Sequence, residues 1–188
     1  LKAIDKINPS IKAVTIKRTS SYHDLESNSN IISASNIRNK FLNNVDVAPY
    51  TPYFARMIKP NMDLYFKLLK SKILTDTKLD SYLDVTEGLD YRLKKVIRNC
   101  NSLDELINKL KSKRYTYNKI SRTLVHILLG ITPDVNAQDS YLKVLGFSKV
   151  GSNYLKSLDI DFNLYKHHPL YKYELNSSMI YDLINNTD

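Results

Sequence analysis

Leu89, Leu93, Val96 and Ile97 stand at i, i+4, i+7 and i+8, so one stripe of a helix here is apolar and must be covered. That demand returns twice before Gly130, and it restricts the fold more than any other feature. Leu103, Leu106, Ile107 and Leu110 supply the apolar face of SLDELINKLKSK, which opens on Ser102 with Glu105 three residues later, the pattern of a capping box. Ile120, Leu124, Ile127 and Leu128 line a helix predicted from about Tyr115 to Leu129, with Gly130 where a left-handed C-cap belongs. Upstream, MDLYFKLLKSKIL sets Leu64, Leu68 and Leu69 largely opposite its lysines. Downstream, KVGSNYLKSL and ELNSSMIYDLIN read as helices, and YLKVLGF as a strand or an extended segment ending at Gly146. Only four Gly and six Pro among 188 residues argue against a loop-rich β-protein.

The first quarter of the chain reads differently. Asn8-Pro9 is a turn signal, and IKAVTIKR, with Ile11, Ala13, Val14 and Ile16, predicts a short, mostly buried strand. TSSYHDLESNSN is a polar loop, and IISASNIRNKFLNN enters a helix capped by Ser33 or Ser35. VDVAPYTP then marks a boundary. The expected fold is mainly α: a helical domain over 48–188, preceded over 1–47 by a strand-loop-helix remnant of an α/β domain. One strand cannot make a sheet, so the earlier part of that domain is expected outside this chain.

No apolar run approaches the length of a membrane span, and LKAIDKINPS lacks the apolar stretch of a signal peptide. A single cysteine, Cys100, excludes an internal disulfide and a cysteine metal cluster. These features fit a cytoplasmic protein with no metal site.

The net charge of +9 is concentrated. Arg92, Lys94, Lys95, Arg98, Lys109, Lys111, Lys113, Arg114, Lys119 and Arg122 are opposed within 92–122 only by Asp104 and Glu105, so this segment holds +8 of the +9. A localised excess points to a phosphate-rich partner more strongly than a uniform one. Tyr115, Lys119, Arg122 and His126 are spaced 4, 3 and 4, which puts them on one helix face. Arg122 lies two residues before Leu124, about 200° round the helix, so that face points away from the core. A solvated lysine-rich face and a phosphate-binding face both require this phasing, and the scarcity of neighbouring acids favours the second. Tyrosine adds stacking for unpaired bases. The residues assigned to such contacts are Arg92, Lys95, Lys111, Lys113, Arg114, Tyr115, Lys119 and Arg122.

SASNIR, residues 33–38, is a second anion candidate: Ser33 and Ser35 at a helix start with Arg38 one turn in. Arg18 closes the expected strand, where open α/β sheets place ligands. His23 beside Asp24 reads as structural hydrogen bonding. His167-His168-Pro169 lacks metal-ligand spacing and reads as loop. No Ser-His-Asp or Cys-His arrangement, glycine-rich phosphate loop or carboxylate pair is evident, so no catalytic residue is assigned.

KRTSSYHD, ISASNIR and EGLDYRLKKVIRNCNSLDELINKLKSKRYTYNKISRTLVHILLGI, in this order, resemble the bacterial tRNA(Met) cytidine acetate ligase family. The likeness runs from about Lys12 to Asn185, and SASNIR resembles a signature of the nucleotidyltransferase fold. The resemblance implies a ligase that activates acetate with ATP, Mg2+ assisting, as acetyl-adenylate. It then transfers acetyl to N4 of the wobble cytidine of elongator tRNA(Met). It also implies that Arg18, Ser33, Ser35 and Arg38 contact ATP and that the basic helices hold tRNA. The family's His-x-Gly-His-like motif has no counterpart here, so this chain is expected to be the C-terminal portion and inactive alone. Two other readings stay open: a non-catalytic basic helical module that docks RNA or protein, and part of a different nucleotidyltransferase.

Overall fold

The computed structural model describes residues 2–8, 10–17, 19–21, 24–27, 29–138, 140–141, 143–158 and 164–185. Two compact units divide it, Leu1–Lys59 and Pro60–Asp188. The boundary expected from composition was after residue 47.

In the first unit, α1 (Lys2–Ile7) is followed by extended chain and then by α2 (Ala34–Leu42). Ser33 is the N-cap of α2; its Oγ accepts from the Asn36 amide at 3.0 Å and donates to the Asp24 carbonyl at 3.2 Å. The Asp24 carboxylate accepts from the amides of Glu26 and Ser27, an Asx-type turn that orders the polar loop. Asn36 is buried and donates through its side chain to the Ser27 carbonyl at 2.8 Å. A 3₁₀ turn, Phe54–Arg56, follows, and Lys59 reaches back to the Leu42 carbonyl near the end of α2.

The expected strand-loop-helix remnant is not present: among the described residues there is no strand. The segment read as a buried strand is extended but open to solvent, with Ile11, Val14 and Ile16 exposed at 52%, 76% and 92%. Its composition suits a pleated surface, but a strand exists only through its ladder, and the described residues offer no second strand to pair with it. Of YLKVLGF, also a strand candidate, the described residues 141 and 143–147 are likewise irregular.

The second unit is built from the amphipathic helices. They are α3 (Met62–Thr75), α4 (Leu89–Ile97), α5 (Leu103–Leu110), α6 (Tyr117–Leu129), α7 (Lys149–Ser157) and α8 (Tyr171–Asn185). α3 packs on α4, α5 and α6, while α8 closes against α3 and α6. Phe66, Leu69 and Ile73 of α3 meet Leu93 and Ile97 of α4, Leu106 and Leu110 of α5, and Ile120, Leu124 and Ile127 of α6 in one core. Each fully buried Leu or Ile contributes on the order of 2 kcal/mol of transfer free energy. Cys100 belongs to this core; burial pushes its thiol pKa up, and its Sγ–H donates to the Val96 carbonyl. No helix among the described residues is long and apolar enough to cross a membrane.

Local signals account for the helix ends. Asn61, Ser102, Thr116 and Ser148 each accept from an amide three residues on, satisfying donors that a first turn leaves open. Glu105 does complete a reciprocal contact, but with the Asn101 amide rather than that of Ser102, at 2.8 Å. Gly130 caps α6 at φ 70°, a conformation that only glycine adopts freely.

Asp76 ends α3 in a small polar knot. Its carboxylate pairs with Lys72 at 2.8 Å and accepts from the Tyr82 hydroxyl and the Lys78 amide. The Lys72 ammonium, then the tyrosine, then the amide hold its pKa far below the usual carboxylate range. A depressed folded-state pKa means stability that is present above about pH 4 and lost as pH falls toward the folded value. Asp76→Asn is expected to cost about 1–2 kcal/mol at pH 7. The gap to the parent should close as urea midpoints are followed down through pH 4.

Candidate nucleic-acid interface

The turn between the 3₁₀ helix Leu79–Ser81 and α4 organises the basic region. Asp84, Glu87 and Gly88 all take left-handed backbone, at φ 65°, 56° and 74°. For the two acids this conformation is strained, and surrounding contacts must hold it. Val85 is buried in the core, the Leu83 amide donates to the Ile131 carbonyl at 2.9 Å, and the Tyr115 hydroxyl donates to the Thr86 carbonyl at 3.0 Å.

So held, the turn presents two carboxylates to α6 and to the chain before it. Glu87 pairs with Arg114 at 2.8 Å, and Asp84 sits 3.3 Å from both the Arg122 Nε and the His126 Nδ1. These acids lie upstream of the basic segment, so a count along 92–122 does not register them. Arg92 extends from α4 to the Leu110 carbonyl at 3.2 Å, which caps the end of α5 and joins the two helices. Lys109 is taken by Glu105 and the Asn99 carbonyl.

Lys95, Lys111 and Lys113 are exposed and Lys119 is half-buried; no ion pair among the described residues involves these four. Lys119 lies over the Tyr115 ring, 4.6 Å from its centroid. Arg114 and Arg122 remain 72% and 63% exposed at the side chain despite their carboxylate partners. Arg114 and Arg122 thus meet the two carboxylates of the turn, while Lys95, Lys111, Lys113 and Lys119 enter no ion pair among the described residues, and cationic excess survives folding.

Tyr115 departs from its expected position. It precedes the Thr116 N-cap, outside the helix, and the residue is only 4% exposed, within the core. It supports Lys119 and the strained turn, and its face is not presented for stacking.

In the first unit, Ser35 and Arg38 come together, the Arg38 guanidinium donating to the Ser35 hydroxyl at 3.3 Å. Ser33 has its hydroxyl engaged on both sides, as a cap and as a donor to the loop. Arg18, Tyr22 and His23 lie outside the described residues. No group of three or more metal-ligating side chains occurs among the described residues.

A family model described as HIGH Nucleotidyl Transferase matches residues 1–187. Among curated proteins, a tRNA(Met) cytidine acetate ligase of Clostridium perfringens (strain SM101 / Type A) is 32% identical over 98% of this chain and 51% of its own length. The proteins of the same name from Oceanobacillus iheyensis and Oenococcus oeni are 33% and 37% identical, over 82% and 81% of this chain and 44% and 43% of their own. The chain thus spans about half the length of the curated relatives it matches.

Proposed function

The chain belongs to the HIGH nucleotidyl transferase family, and on that premise we propose that it is the tRNA-holding part of an ATP- and acetate-dependent ligase. The reaction proposed for that ligase runs in two steps. Acetate attacks the α-phosphate of ATP, releasing pyrophosphate and leaving acetyl-adenylate. N4 of the wobble cytidine of elongator tRNA(Met) then attacks the acetyl carbon, and AMP departs. In this reading the second unit carries the RNA, with Lys95, Lys111, Lys113 and Lys119, and Arg92, Arg114 and Arg122, contacting backbone phosphates.

Arg18, Ser33, Ser35 and Arg38 form the proposed edge of the ATP site. The observed pairing of Ser35 with Arg38 at the start of α2 suits a phosphate, to which both could turn. Ser33 would then act by holding the turn rather than by direct contact. No general acid or base is assigned, because adenylation and positioning of the acceptor base can account for the rate.

The cationic excess that remains after Asp84 and Glu87 are paired is the observation that carries the RNA reading. Its test is direct titration of the 188-residue chain with tRNA at about 50 and 200 mM salt, where affinity should fall by several orders of magnitude. Binding that ignores salt, or none at low salt, would remove the reading. The ligase reading is tested separately with the parent protein. Acetylated cytidine should form in tRNA(Met) only when ATP and acetate are both supplied.

A further inference from the structure

A second surface in the same unit lies at the far end of α6. Tyr141 stacks on Tyr165 with centroids 6.3 Å apart and planes at 15°. It also meets His168 at 4.8 Å, and Tyr165 takes Tyr171 edge-on at 5.2 Å. All four rings are half-buried, so each keeps solvent-open surface. Lys143 and Lys166 lie over the Tyr165 ring at 5.8 and 6.0 Å, and Lys172 lies over Tyr173 at 4.6 Å.

The arrangement is braced. Glu174 binds both the Tyr141 hydroxyl and Lys143, and the Tyr173 hydroxyl meets Thr132 at 3.2 Å, just past the end of α6. His168 accepts from the Leu170 amide at its Nδ1, which holds the ring in place. Glu174 offsets Lys143, and Asp134 accepts from the same Thr132 hydroxyl that meets Tyr173; Lys166 and Lys172 enter no ion pair among the described residues and give the ring cluster a cationic edge. Because lysines already occupy ring faces, a cationic ligand is disfavoured, whereas a ligand with flat π surface and negative charge fits both features.

From this juxtaposition of braced, half-open tyrosines with lysines, we infer a stacking platform for unpaired RNA nucleotides at Tyr141, Tyr165, Tyr171 and His168. Lys166 and Lys172 meet their phosphates. The inference rests on the RNA-binding reading above and adds a division of labour to it. Lys119 and Arg122 lie in the first half of the 13-residue α6, which is about 20 Å long, and the platform lies beyond its end. One RNA can engage both ends, paired and unpaired parts being read by different chemistry.

The test compares an oligouridine with a fully paired RNA duplex on the intact chain. Tyr165→Ala and Tyr165→Leu should each weaken oligouridine binding about tenfold, Tyr165→Phe should retain it, and duplex affinity should hold within about twofold. Leucine keeps apolar bulk without a π face, so a purely structural role would spare it. Since the chain has no tryptophan, Tyr165→Trp gives a single fluorophore whose quenching by oligouridine reports stacking even if the alanine variant folds poorly. Unchanged oligouridine affinity in the alanine and leucine variants, or equal losses for both RNAs, overturns the platform. If tRNA binding nevertheless responds to loss of the lysines around α6, the RNA reading stands without it. A parent chain that binds neither RNA overturns both.

Discussion

Changing Lys95, Lys111, Lys113 and Lys119 together to alanine should lower tRNA affinity about a hundredfold near physiological salt and flatten the salt dependence by about three logarithmic units of slope. The four lack carboxylate partners among the described ion pairs, so their charge is available in the free protein. Arg114 and Arg122 are a poorer first choice. Each must leave Glu87 or Asp84 to meet a phosphate, and removing either also strands an acid in a strained turn. Filter binding at several salt concentrations reads both quantities. Unaltered slope in the fourfold variant would show that the lysines make no phosphate contact.

Leu124→Ala should destabilise the second unit by about 2–5 kcal/mol, visible in urea midpoints and as a fall on the order of 10 °C in Tm. Leu124 is fully buried among α3, α4, α5 and α6, where close packing leaves little room for collapse into the void. Leu145, 89% exposed, is the control: its change to alanine should stay within about 0.5 kcal/mol. Comparable losses at both positions would contradict the packing described.

The helices of the second unit could be read from the chain because each carries its own period and its own cap. Ser102 and Gly130 do in the structure what their types and positions suggest. The basic face was half legible. Phasing placed Lys119 and Arg122 outward, as found, but assumed that helix already covered Tyr115. The helix starts at Tyr117, so the period does not apply to Tyr115, which turns into the core. The acids were invisible for a different reason: Asp84 and Glu87 reach Arg122 and Arg114 only through tertiary folding. The stacked tyrosines had no periodic signal, since Tyr141 comes from irregular chain and Tyr165 from the 3₁₀ turn Leu164–His167, which meet only through tertiary folding. IKAVTIKR had the right residue types for a strand, but pairing depends on a neighbour that composition cannot supply.

Cys100 gives the protein a built-in clock. It is the one thiol in the chain, it has no exposed surface, and burial holds it protonated beyond the range of an ordinary cysteine. An alkylating reagent can reach it only when the helices around it part. Its rate of modification, compared with that of a free thiol, therefore measures how often the second unit opens in its native state, without any attached label.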